Sequence, residues 1–251
     1  MVLQDQDRVL DWQGVQERLE EVRWRFIRVF AGLVILSVAA YPFSGPVMNL
    51  LDKPVRGALA VFSVTEGFWV RLRISFFTAI FLAMPFIFAE LLAIGGTFFH
   101  SNPTYTFYKK YFIGIILIAA TLFFLGSALC FLVVLPAGLQ FLLGYGGEHI
   151  RPLISADRYF SFCLVMIMAF GITFQLPLVL VLLGRVGIVN HHFLSRNRRY
   201  AIMLLTIAAA ILTPTPDAYN MLLLAGPLVV LYEISVWLVR IFGREKIIWN
   251  G

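Results

Sequence analysis

A short charged run, Leu19-Glu20-Glu21-Val22-Arg23-Trp24-Arg25, stands just before the first long apolar stretch of the chain. A carboxylate at such a boundary works in a lowered dielectric, where it can grip a planar guanidinium through two parallel hydrogen bonds. Glu21 and Arg25 are also spaced i, i+4, so the plainer reading is a helix-surface pair worth about 0.2–0.5 kcal/mol. Three more polar residues, Glu90, Gln175 and Glu233, fall inside apolar runs. An ionised group at the centre of a bilayer costs about 2.5–3.5 kcal/mol on insertion scales, so it needs a partner, an interface or a task. For Glu90 and Glu233 the plainer alternative is a position a turn or two from the lipid head groups; for Gln175 it is a hydrogen bond that joins two helices.

The sequence carries no catalytic equipment of a familiar kind. No Gly-x-x-x-x-Gly-Lys-Ser/Thr run is present to cradle phosphates. His100, His149, His191 and His192 all fall in connectors, and Asp157 and Asp217 sit at the ends of apolar runs, so neither a membrane-embedded serine protease nor a paired-aspartate one is expected. No His, Cys, Asp and Glu cluster has metal-ligand spacing. Cys130 and Cys163 lie singly in apolar runs and read as small core or lipid-facing residues. The expectation is a non-enzyme that uses no cofactor and no metal.

The elements that must position these residues follow from composition. Of the 251 residues, 60 % are apolar and only 14 % charged, against about 45–50 % and 25 % in globular domains. A soluble fold of this size has too little interior to hide so much apolar surface. The predicted class is an all-α integral membrane protein, which excludes a soluble enzyme, a nucleic-acid-binding domain and a disordered chain. The net charge of +6 is therefore read as membrane sidedness rather than as a nucleic-acid partner.

Six spans are expected, near 25–43, 74–93, 111–136, 159–183, 200–212 and 218–239, in one membrane domain covering 1–251. Residues 1–24 read as an amphipathic cytoplasmic segment, too long and too acidic for a cleavable signal peptide, and 240–251 as a cytoplasmic tail. Ser44-Gly45-Pro46 is expected to stop the first helix, leaving 44–73 as an ordered loop with short amphipathic helices. Pro85, Pro136, Pro177 and Pro227 mark bends or breaks in the spans, and Pro214 and Pro216 force the turn between the last two. Ala201–Leu212 offers only about 18 Å of helix, and Gly226-Pro227 interrupts the sixth run, so the fifth and sixth helices are both expected to be short, with a thinned bilayer beside them. Lys53, Arg56, Arg71, Arg73, Arg151 and Arg158 fall on one side of this arrangement and the other fourteen basic residues on the opposite side. That bias places both termini in the cytoplasm.

Several stretches resemble, in order, one family: TatC, the multispanning subunit of the twin-arginine protein translocase. They are Leu19–Arg25, Phe124-Leu125-Gly126 through Pro136, Ile154–Phe162, Phe170-Gly171-Ile172-Thr173-Phe174-Gln175-Leu176-Pro177, Arg199-Tyr200-Ala201, Leu212–Asp217, and Pro227 with Leu231-Tyr232-Glu233-Ile234. The resemblance implies a cup-like bundle in a bacterial inner membrane, or an organellar one, that receives folded precursors bearing paired-arginine signal peptides. It also implies TatA- and TatB-type single-span partners, assembly with further copies of the chain, and transport driven by the proton-motive force. Glu21 matches the family's signal-recognition acid and Arg23 the basic residue beside it; Glu90, Gln175, Asp217 and Glu233 would be docking or concave-face positions.

This sequence departs from the family pattern at four places, one of them Leu92 where a tryptophan is expected. Tyr108-Lys109-Lys110 stands where a second recognition acid is expected, Glu90 replaces a usual glutamine, and Gln175 replaces a usual acid. The reciprocal swap suggests that Glu90 keeps one acid on the concave face. A small-solute or ion transporter using Glu90 and Glu233 in a polar pathway is the alternative reading, and an assembly scaffold that has lost precursor binding is a third.

Overall fold

The computed structural model describes residues 2–53, 59–98, 104–144, 154–212 and 218–242, and these are almost wholly helical. α1 spans Val2–Ala40 and passes through one 3-10 turn, Tyr41–Phe43, into α2, Ser44–Asp52. α3 follows at Glu66–Phe98 and α4 at Thr104–Leu129; a five-residue π-helical turn, Cys130–Val134, joins α4 to α5, Leu135–Gly144. α6 (Ala156–Thr173) and α7 (Leu176–Val186) form one kinked rod. The short α8 (His191–Arg196) precedes α9 (Arg198–Leu212) and α10 (Ala218–Phe242). Five helical stretches among the described residues are long and apolar enough to cross a membrane: Val22–Asp52, Glu66–Leu92, Phe112–Phe141, Ala156–Arg185 and Met221–Phe242. α9, with 15 residues, is about 22 Å long against a hydrocarbon core of about 30 Å.

The prolines act more gently than their sequence context suggests. Ser44-Gly45-Pro46 does not end the first rod, because Pro46 falls in the first turn of α2, where its missing N–H leaves no bond unmade. α3 begins eight residues earlier than the expected span, at Glu66, and runs through both Pro85 and Gly95-Gly96. The π-helical turn lies immediately before Pro136: the Leu135 N–H bonds back to the Cys130 carbonyl, five residues away, and the widened turn makes room for a ring that would otherwise clash. Pro177 coincides with the break between α6 and α7. The sixth helix is neither short nor interrupted: α10 is continuous for 25 residues with Pro227 inside it. Pro214, Pro216 and Asp217 lie outside the described residues.

Packing explains the glycines of the Phe-Gly motif. A Cβ on Gly126 would stand 2.5 Å from the Phe174 ring and 2.8 Å from the Phe170 carbonyl, and one on Gly171 would stand 2.5 Å from Phe123 and 2.6 Å from Ser127 Oγ. α4 and α6 thus touch almost backbone to backbone, the small-residue contact on which helix association in lipid depends. Around this crossing Phe123, Phe160, Cys130, Cys163 and Ile74 are fully buried. Phe30, Ile35, Val38, Ile113, Leu204 and Trp237 are exposed on the outside, as a lipid-facing wall requires. α1 lies along α3, and α10 along α7.

Candidate functional site

Charged side chains gather at the two ends of the bundle. At one end α1 passes the last turns of α3, and their charges meet. Arg25 Nη1 donates to Glu90 Oε2 at 2.9 Å, and Arg28 Nη1 lies 3.5 Å from Glu90 Oε1. Arg25 and Arg28 are three residues apart and so share a helix face, while Pro85 leaves the α3 ladder intact enough to carry Glu90 to them. Glu90 is buried, so its charge depends on these arginines rather than on water.

α9 and α10 hold a second pair, Arg198 to Glu233 at 3.1 Å, half in the open. Beside it the Tyr232 hydroxyl donates to the Leu194 carbonyl at 2.9 Å and anchors α8 to α10. An apolar cavity of about 320 Å³ lies between α4, α7 and α10, with Pro177 in its wall and Arg185 at its edge.

Gln175 sits at the α6–α7 kink. Its Nε2 donates to the Ala119 carbonyl of α4 at 2.8 Å, and its Oε1 is buried with no partner among the described residues. The hydrogen bond joining two helices is therefore present, and it leaves half of the amide unused. Glu21 lies within α1 and Tyr108 within α4, their side chains outside the described residues; Arg23 is exposed, 3.9 Å from Glu20.

The opposite end holds a cluster that the sequence reading missed. Glu66, the first residue of α3, accepts from the Phe62 and Ser63 N–H groups at 2.6 and 3.3 Å through one oxygen. Its other oxygen accepts from the Ser155 hydroxyl and the Asp157 N–H, both at 2.8 Å. Arg73, two turns on, bonds Asp157 at 2.8 Å and also Ser161. A two-residue parallel pairing of Leu59–Ala60 with Ile154–Ser155 lies next to it, and Tyr159 donates to the Leu51 carbonyl at 2.7 Å. The signal was present: Ser155-Ala156-Asp157 before an apolar run marks a helix start, whose unpaired N–H groups attract a carboxylate. What the sequence did not supply was the distant carboxylate that takes them.

A lipid-facing helical bundle with ion pairs at both ends, and no group of three or more potential metal ligands among its described residues, defines a polytopic α-helical membrane protein. The comparisons narrow the class. Residues 17–227 match the family model for the Sec-independent protein translocase protein (TatC). The chain is 34 % identical over 236 residues to the TatC of Desulforapulum autotrophicum, covering 92 % of this chain and 85 % of that one. It is 36 % identical over 237 residues to the chloroplastic TATC of Oryza sativa subsp. japonica, covering 92 % of this chain and 64 % of that one. A crystal structure described as the twin-arginine translocase receptor TatC superposes with a TM-score of 0.78 at 32 % identity, covering 88 % of this chain and 98 % of that chain.

The chain belongs to the TatC family of Sec-independent protein translocase subunits. It is a membrane protein of protein transport, a component of a translocase. The transporter alternative loses its ground, because family membership assigns transport of proteins and both of its acids, Glu90 and Glu233, are paired with arginines.

Proposed function

We propose that this chain is the precursor receptor of a twin-arginine translocase: it binds the paired arginines of signal peptides on folded precursors and gathers the complex that moves them, drawing on the proton-motive force. The observation that carries the reading is an acidic run, Glu20-Glu21, on a helix that continues without a break into the first membrane span, in a chain of this family. A carboxylate at the entrance to a membrane span meets a lowered dielectric, where a guanidinium fork binds it more tightly than an ammonium does. Glu21 is assigned the grip on the signal arginines and Arg23 its support.

The remaining assignments extend this reading. The chain has six spans with both termini in the cytoplasm of a bacterial inner membrane, α9 being the short fifth span, beside which the bilayer thins. TatA- and TatB-type helices and further copies of the chain dock along the polar positions at Gln175, Asp217 and Glu233.

The test is crosslinking of a twin-arginine precursor to the full-length chain in native membranes. Glu21→Ala is expected to abolish the crosslink with the membrane level of the chain unchanged; undiminished crosslinking removes Glu21 from the role. Replacing the signal arginines with lysines is expected to weaken the crosslink, because an ammonium cannot make the two-pronged contact.

A further inference from the structure

We infer that Glu90 is a second guanidinium acceptor of the precursor site, and that Arg28 occupies one of its oxygens in the resting chain as a stand-in for a signal-peptide arginine. The inference rests on the receptor reading above and adds a residue to it. Its starting point is that the two grips on Glu90 are unequal. Arg25 holds Oε2 with a short hydrogen bond at 2.9 Å from a side chain that is 22 % exposed. Arg28 stands 3.5 Å from Oε1 and is 65 % exposed, whereas the Glu90 side chain is only 11 % exposed.

A contact of 3.5 Å is a loose charge pair rather than a good hydrogen bond. The Arg28 side chain is long enough to swing its head to lipid phosphates without leaving its stem exposed. Exchanging one guanidinium for another leaves the charge of the cluster unchanged, so no ion is stranded in the low-dielectric layer during the swap. Arg25 stays on Oε2 throughout. An incoming arginine can set a short, well-aligned N–H on Oε1, which Arg28 at 3.5 Å does not, and so has the advantage.

Position strengthens the case. Glu21, Arg25 and Arg28 follow the i, i+4, i+7 register of one face of α1, and Glu90 meets that face from α3. With Glu21 assigned as above, the site draws one acceptor from each of two neighbouring helices for two adjacent arginines. The arginine doublet already on Glu90 shows that this corner of the bundle accommodates two guanidiniums.

The experiment uses the full-length chain in lipid vesicles and a labelled synthetic signal peptide with paired arginines, with the paired-glutamine peptide as control. Arg28→Gln is expected to tighten the arginine peptide about 3- to 10-fold by removing a competitor, and Glu90→Gln to weaken it about tenfold. In the Glu90→Gln background Arg28→Gln is expected to change nothing, which is the coupling a double-mutant cycle isolates. A gain of affinity cannot come from misfolding, so the Arg28 variant decides even if Glu90→Gln accumulates poorly. The proposal is overturned if Arg28→Gln leaves binding unchanged or weakens it, or if its gain persists without Glu90. If the unaltered chain binds both peptides equally, it is the receptor reading that fails; if it discriminates but the variants do not move, only the exchange at Glu90 fails.

Discussion

The two charged ends of the bundle use the same residue types to different effect. At the Glu66 end one carboxylate accepts four hydrogen bonds, three from backbone N–H groups and one from a hydroxyl. Backbone donors cannot leave, so this cluster closes the Phe62–Ser63 turn onto the start of α6 and keeps it there. At the Glu90 end the partners are two arginine side chains, one tight and one loose. Long side chains can exchange partners where main-chain groups cannot. A carboxylate satisfied by its own backbone is a fastening, whereas one satisfied by mobile guanidiniums is available to other guanidiniums.

The contrast yields graded expectations. The largest effect on stability belongs to Glu66→Ala, which removes the acceptor of four hydrogen bonds at once and is expected to lower the unfolding midpoint more than either change below. The checking measurement is thermal unfolding of the purified chain, with precursor binding falling only as folded protein is lost; a variant of normal stability that no longer binds precursor would make this end a recognition site instead. Gly171→Val sits between the two ends and is expected to destabilise by about 1–3 kcal/mol, because α4 and α6 must part to admit the side chain. Its signature in the same thermal measurement is a lowered midpoint without altered arginine selectivity. Smallest is Glu233→Gln, whose partner Arg198 is half-exposed. It is expected to shift stability by no more than about 0.2–1 kcal/mol and to leave precursor affinity intact, so any loss measured by co-purification reports on partner helices.

Much of this was legible in the residues. Composition alone dictated a lipid-embedded helical chain, and Pro177 marked a bend that falls at the break between α6 and α7; the close contact at Gly171 was not read from the run that carries it. Less legible was how forgiving each proline would be. Pro46 falls in a first turn, Pro136 follows a π-helical turn and Pro227 is absorbed within a 25-residue helix, outcomes set by neighbours that a linear pattern does not reveal. The sequence offered Glu90 as a lone acid to be explained, but not its partners, since Arg25 and Arg28 lie more than sixty positions away. Glu90 and Gln175, exchanged relative to the family pattern, bond to different helices, Glu90 to α1 and Gln175 to α4. Glu66 escaped notice because it stood in a stretch read as a loop, although it begins α3.

The most direct test of the receptor assignment is equilibrium binding of the paired-arginine peptide and its paired-glutamine counterpart to the unaltered chain in vesicles. The account predicts that the glutamine peptide binds at least about tenfold more weakly, a difference of about 1.4 kcal/mol. Equal affinity for the two peptides would contradict it.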